Sequence, residues 1–107
     1  DGTVRLPFDV GTGRLLPEVW ERWLAWDPVR MASGHAGALR SMCAIHLDAG
    51  TRDEHHLDLA AEAFRRELEA VGVAGVRFLQ HDGGHVGNQH RYVLALRYLS
   101  ERLSRER

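Results

Sequence analysis

Two short stretches carry the residue types that acid–base chemistry needs. The first, Leu47-Asp48-Ala49-Gly50-Thr51-Arg52-Asp53-Glu54-His55-His56, follows an apolar run and precedes a strongly periodic segment. The second, His81-Asp82-Gly83-Gly84-His85-Val86-Gly87-Asn88, follows another strand-like run and is rich in glycine. A carboxylate on the first loop and the His85 imidazole on the second suit a base and its orienter. The carboxylate holds one ring tautomer and stabilises the imidazolium while the other ring nitrogen takes a proton from a serine. Asp48 and Asp53 both stand where the carboxylate is needed.

The surrounding elements must bring these loops together. Met42 to Leu47 reads as a strand, a continuous apolar run broken only by His46, of the kind buried on both faces. Leu57, Ala60, Ala61, Phe64, Leu68 and Val71 then recur at three- and four-residue steps, which predicts one buried helix face. Arg65, Arg66, Glu67 and Glu69 lie off that stripe and are expected in solvent. Gly72 stands where a helix end takes a left-handed residue. Val73 to Gln80 reads as a second strand, and a last helix is expected from about Gln89 to Leu103 on Tyr92, Val93, Leu96, Leu99 and Leu103. Strand, helix, strand, helix is a βαβ unit with parallel strands, which places Asp48 or Asp53 and His85 at one edge of the sheet.

Residues 1–41 read as a helical and irregular, insert-like segment before this unit. Val4 to Phe8 is expected to be extended and Gly11-Thr12-Gly13 to turn. Pro17 opens a short helix with Trp20, Trp23 and Leu24 on one face, and Asp27-Pro28 caps another helical turn through Met31. Ser33 to Gly37 reads as a loop or the start of a helix, with His35 a surface or capping residue. Ala38 to Met42 returns the chain to the sheet. Trp23 and Trp26 are candidates to line a substrate pocket, although aromatic residues at helical spacing also make core.

Composition narrows the class. The 107 residues are 44% apolar and 27% charged, as in an ordinary globular domain, with a formal net charge of -1. Every basic residue other than histidine is arginine, and the arginines are scattered. Nothing there favours nucleic acid or an anionic membrane as partner, and no run reaches the roughly 18 apolar residues of a membrane span. Cys43 is the single cysteine, so no internal disulfide forms, and its place in Met42-Cys43-Ala44-Ile45 suggests a buried strand cysteine. The chain opens at Asp1-Gly2-Thr3 without a methionine, so residues upstream are expected. Two strands are too few for a stable parallel sheet. The chain therefore reads as the edge of a larger α/β domain.

Val19-Trp20-Glu21-Arg22-Trp23-Leu24-Ala25-Trp26-Asp27-Pro28-Val29, Asp48-Ala49-Gly50-Thr51-Arg52-Asp53-Glu54, Leu57-Asp58 and Gly83-Gly84-His85 with Arg91-Tyr92 together resemble the C-terminal part of esterases of the esterase D group. That group belongs to the α/β-hydrolases and includes siderophore esterases and mycolyltransferases. The resemblance implies an α/β fold that is the C-terminal portion of an α/β-hydrolase, a small-molecule ester substrate and no cofactor. It implies Asp53 as triad acid and His85 as general base, favours Asp53 over Asp48 because the acid follows Gly50-Thr51-Arg52, and leaves Asp58 as a cap or surface group and Asp82 as a loop-shaping one. The nucleophile elbow Gly-x-Ser-x-Gly is missing, since Ser33, Ser41, Ser100 and Ser104 lack its flanking glycines. The chain is expected to be inactive alone and to need the N-terminal part of the same hydrolase.

Two other readings compete. Seven histidines, with His46, Asp48, His55 and His56 near one another and His81, His85 and His90 further on, suggest a zinc-binding module. Against it, no H-x-x-x-H or H-E-x-x-H spacing falls on a predicted helix, the His81 and His85 pair lying in a glycine-rich loop. Uncovered strand edges and apolar faces suggest instead a self-associating module, a homo-oligomer formed with a second copy.

Overall fold

The computed structural model describes residues 4–105. Three short helices come first: α1 (Pro17–Leu24), α2 (Pro28–Gly34) and α3 (Ala36–Arg40). They are followed by β1 (Ile45–Gly50), α4 (Leu57–Ala70), β2 (Val76–His81), a 3-10 turn over Gln89–Arg91, and α5 (Tyr92–Arg105). The two strands are parallel, with Ile45 opposite Val76 and Gly50 opposite His81. Parallel neighbours cannot be joined by a hairpin, so α4 is the crossover between them. The class is thus mixed α/β.

Local chemistry accounts for most element boundaries. Pro17 and Pro28 sit in the first turns of α1 and α2, where a missing N–H costs nothing, and the Asp27 side chain accepts the Val29 N–H at 3.0 Å. His35 is exposed between α2 and α3, its Nδ1 2.9 Å from the Met31 carbonyl. The predicted turn forms around Asp9, which accepts the N–H groups of Gly11 and Thr12, with Gly13 at φ +71°. Gly72, at φ +74°, follows the end of α4 in the expected left-handed conformation.

Both strands differ from the expected ranges. β1 begins three residues later than Met42 and continues through Asp48 to Gly50, so Asp48 lies inside the strand rather than beyond it. Partners supplied by β2 and by the turn before α5 let a charged residue stay in the ladder. Cys43 precedes the strand and is only half-buried. Nor is β1 buried on both faces: Ile45 to Asp48 are half-buried, and only Ala49 and Gly50 are fully covered. β2 starts at Val76 and takes in His81, because Gly75, at φ +72°, interrupts the extended run before it.

The last helix departs most from expectation. Tyr92, Val93, Leu96 and Leu103, expected in the core, are 66%, 67%, 67% and 59% exposed. The helix is pinned instead through Tyr98, whose hydroxyl donates to the Gly75 carbonyl at 2.7 Å while the Arg77 guanidinium sits over its ring. Two strands present too little surface to cover the wider stripe. Fully buried apolar side chains among the described residues come down to Pro7, Val19, Ala32, Ala49 and Leu68. The radius of gyration is 16.9 Å, against about 13 Å for a compact domain of about 100 residues. Among the described residues no helix is long and apolar enough to cross a membrane.

Candidate functional site

Beyond the C-terminal ends of β1 and β2 the chain forms two loops that lock together by backbone contacts. The Arg52 N–H donates to the Gly83 carbonyl at 2.9 Å, and the Thr51 N–H donates to the His81 carbonyl at 2.9 Å. Gly50 makes this possible, because a Cβ there would collide with the Gly83 carbonyl. Arg52 and Asp82, both exposed, pair across the same junction.

The junction delivers Asp53 to His85. Asp53 is the one buried polar or charged residue among the described residues, 9% exposed, and its Oδ2 lies 3.0 Å from His85 Nδ1. Its Oδ1 accepts the His55 N–H at 2.8 Å, an Asx-type turn that fixes the carboxylate plane. Burial alone would raise the Asp53 carboxyl. Hydrogen bonds from the His55 backbone, the His85 ring and the Leu57 backbone outweigh that burial and hold it below the ordinary carboxylate value. An ionised carboxylate only accepts, so Nδ1 of His85 carries the proton and Nε2 is left to take one.

Further groups complete the setting of His85. Glu54 Oε2 accepts the His85 backbone N–H at 3.1 Å, and the same bond helps hold the Glu54 carboxyl low. The His55 ring meets the His85 ring edge to face at 4.8 Å between centroids. The His85 side chain remains 41% exposed. A cavity of about 380 Å³ opens beside it, lined in part by His46, Asp48, Arg91 and Tyr92.

Asp48 serves a different histidine. Its Oδ1 is 2.8 Å from His81 Nδ1, and Arg91 clamps it through Nε at 3.1–3.2 Å and NH2 at 2.7 Å. Burial pushes the Asp48 carboxyl up, and the Arg91 and His81 contacts more than reverse that. His46 Nε2 stands 3.6 Å away, its ring packed toward Tyr98 at 5.9 Å between centroids. His81 is held at its other nitrogen as well, with Nε2 2.9 Å from Asn88 Oδ1.

The remaining candidates fall elsewhere. Asp58 occupies the first turn of α4, and Asp82 is an exposed partner of Arg52. Ser41, Ser100 and Ser104 spend their hydroxyls on carbonyls of their own helices, and no serine lines the cavity beside His85. Trp23 and Trp26 line a separate cleft of about 580 Å³ with Trp20, and Trp23 Nε1 donates to the Arg5 carbonyl at 3.0 Å. That cleft is the larger of the two, but its one carboxylate, Asp27, caps α2 and no histidine, serine or cysteine lines it, so the smaller one is the candidate site. Among the described residues no group of three or more His, Cys, Asp or Glu side chains is arranged to hold a metal ion.

Residue types and spacing did not single out Glu54 or Asn88, and they marked His81 only as a possible zinc ligand and Arg91 only as part of the family-like Arg91-Tyr92 pair. Asn88, three residues after His85, had a local signal in its reach for nearby carbonyls. The pairing of Arg91 with Asp48 had none, since the two are 43 residues apart. Comparison with known protein families, with curated proteins and with solved structures finds no match to the chain.

Proposed function

We propose that the chain supplies the acid and the base of a Ser-Asp-His triad in a serine-dependent carboxylic-ester hydrolase of the α/β-hydrolase type. Asp53 orients His85, and His85 Nε2 removes the proton from a serine contributed from outside the described residues. The observation that carries the reading is the 3.0 Å Asp53–His85 contact between loops that follow two adjacent parallel strands. The order acid then histidine, each after a strand, is that of the last two members of such a triad.

The distribution of polarity supports it. A carboxylate that is buried, ionised and bonded to a half-exposed imidazole stabilises the imidazolium formed when the serine is deprotonated. The acyl-enzyme would then be hydrolysed by water activated through the same nitrogen. The uncovered face of α5 and the free sheet edges are where the remaining strands and helices of the hydrolase would pack.

The test is covalent labelling of the longest encoded protein that contains this chain with a fluorophosphonate, which reacts only with an activated serine. Labelling that disappears in His85→Ala supports the proposal. Labelling unaffected by that substitution, or no labelling of the folded protein, removes it.

A second reading rests on the exposed Tyr92, Val93, Leu96 and Leu103 of α5, which would make a self-associating surface between two copies. Light scattering distinguishes the two: a dimer that Leu96→Glu dissolves favours self-association, and a monomer disfavours it.

A further inference from the structure

His85 is gripped at three points. Its ring is bonded to Asp53, its backbone N–H to Glu54 and its carbonyl oxygen to the side chain of Asn88. The third grip leads away from the pair. Asn88 Nδ2 is 3.0 Å from the Gly84 carbonyl oxygen and 3.1 Å from that of His85, so its two hydrogens are both directed at acceptors. That fixes the amide orientation and leaves Oδ1 as the acceptor toward His81 Nε2 at 2.9 Å.

His81 is itself held at both ring nitrogens. It ends β2, its ring is 13% exposed, and its Nδ1 bonds Asp48, which Arg91 clamps through two nitrogens. A second histidine–carboxylate pair, built into the strands, therefore lies behind the first. The only side chain joining the two among the described residues is Asn88.

We infer that Asn88 is a positioning residue: it ties the His85 peptide to the strand-borne Asp48–His81 pair and so keeps the His85 Nδ1–H aimed at Asp53. The inference rests on the reading of His85 as the general base, and it specifies what holds that base in register. Loops past strand ends are otherwise the least constrained part of such a site. An imidazole displaced by about 1 Å from its working geometry costs about 100-fold in rate.

The experiment reads the His85 ring directly, by ¹⁵N-edited NMR of the histidine side chains in the encoded protein that contains this chain, and needs no hydrolysis. The expected wild-type result is the Nδ1–H tautomer for His85 with a downfield, hydrogen-bonded Nδ1 proton, and slowly exchanging Asn88 amide protons. Asn88→Asp keeps an acceptor for His81 but removes both donors. Asn88→Ser keeps at most one donor. The expected outcome is loss of the downfield proton and a mixture of tautomers in Asn88→Asp, with a smaller change in Asn88→Ser. If either folded variant keeps the wild-type signals, the inference fails. It fails equally if the wild-type Asn88 amide protons exchange as fast as those of an exposed asparagine, a result that does not depend on any variant folding. Failure of the esterase reading would appear separately, in the labelling experiment.

Discussion

Gly50 at the end of β1 and Gly83 in the loop after β2 meet backbone to backbone, and no larger residue at position 50 would let them. Through that contact the Asp53 loop and the His85 loop are held at one spacing, with Arg52 N–H on the Gly83 carbonyl. Gly50→Ala must therefore push the loops apart. Overpacking at a tight site costs about 1–3 kcal/mol, so the variant should unfold at lower urea concentration and weaken the Asp53–His85 bond. Urea melts together with the His85 Nδ1 proton signal check both, and an unchanged midpoint would show that the loops have room to spare.

The Arg91–Asp48 pair makes a second prediction. Both side chains are mostly buried, 18% and 15% exposed, and the carboxylate accepts three of its hydrogen bonds from the guanidinium. Arg91→Met leaves that carboxylate with His81 in hydrogen-bond reach and His46 Nε2 at 3.6 Å. Removing one partner of a buried pair costs about 3–5 kcal/mol, and the residual solvent access here puts the loss near the lower figure. Chemical denaturation measures it, and Asp48→Asn in the same background should recover part of the loss.

Acid should unfold the chain through its carboxylates. Asp48, Asp53 and Glu54 are all held below their ordinary values, and Glu62, between Arg65 and Arg66 on α4, is lowered to about 2. A depressed carboxyl binds fewer protons folded than unfolded. Its contribution is therefore complete above the ordinary carboxylate range and is lost as pH falls through the folded value, for Glu62 between about 4.5 and about 2. The melting temperature should be level from neutral pH down to about 5 and fall below that. A melting temperature that rose on acidification would contradict the assigned ion pairs.

How far the sequence could be read followed the range of the forces involved. The order of strands and helices, the left-handed Gly72 and the Asp27 cap were legible, because periodicity and capping are local signals. His85 and an aspartate, Asp48 or Asp53, were legible because they follow strand-like runs, and Asp53 is preferred only through the family resemblance. The strand ends were misplaced because Asp48 looks like a loop residue until Arg91 and His81 are known to neutralise it. The α5 stripe was read as core because periodicity reports which face is apolar, not whether anything covers it. The second histidine–carboxylate pair went unseen because Asp48 reads as an alternative acid for His85, and His81 lies inside β2 rather than in the loop after it.

The central claim is that Asp53, and not Asp48, orients His85 for ester hydrolysis. The direct measurement is kcat/KM for a short-chain p-nitrophenyl ester in the encoded protein bearing Asp53→Asn or Asp48→Asn. Replacing the triad acid leaves the geometry but favours the wrong tautomer, which costs about 10⁴-fold. The account predicts that scale of loss for Asp53→Asn and a much smaller one for Asp48→Asn, whose carboxylate bonds His81 instead. Near-normal hydrolysis by Asp53→Asn, with the large loss in Asp48→Asn, would contradict it.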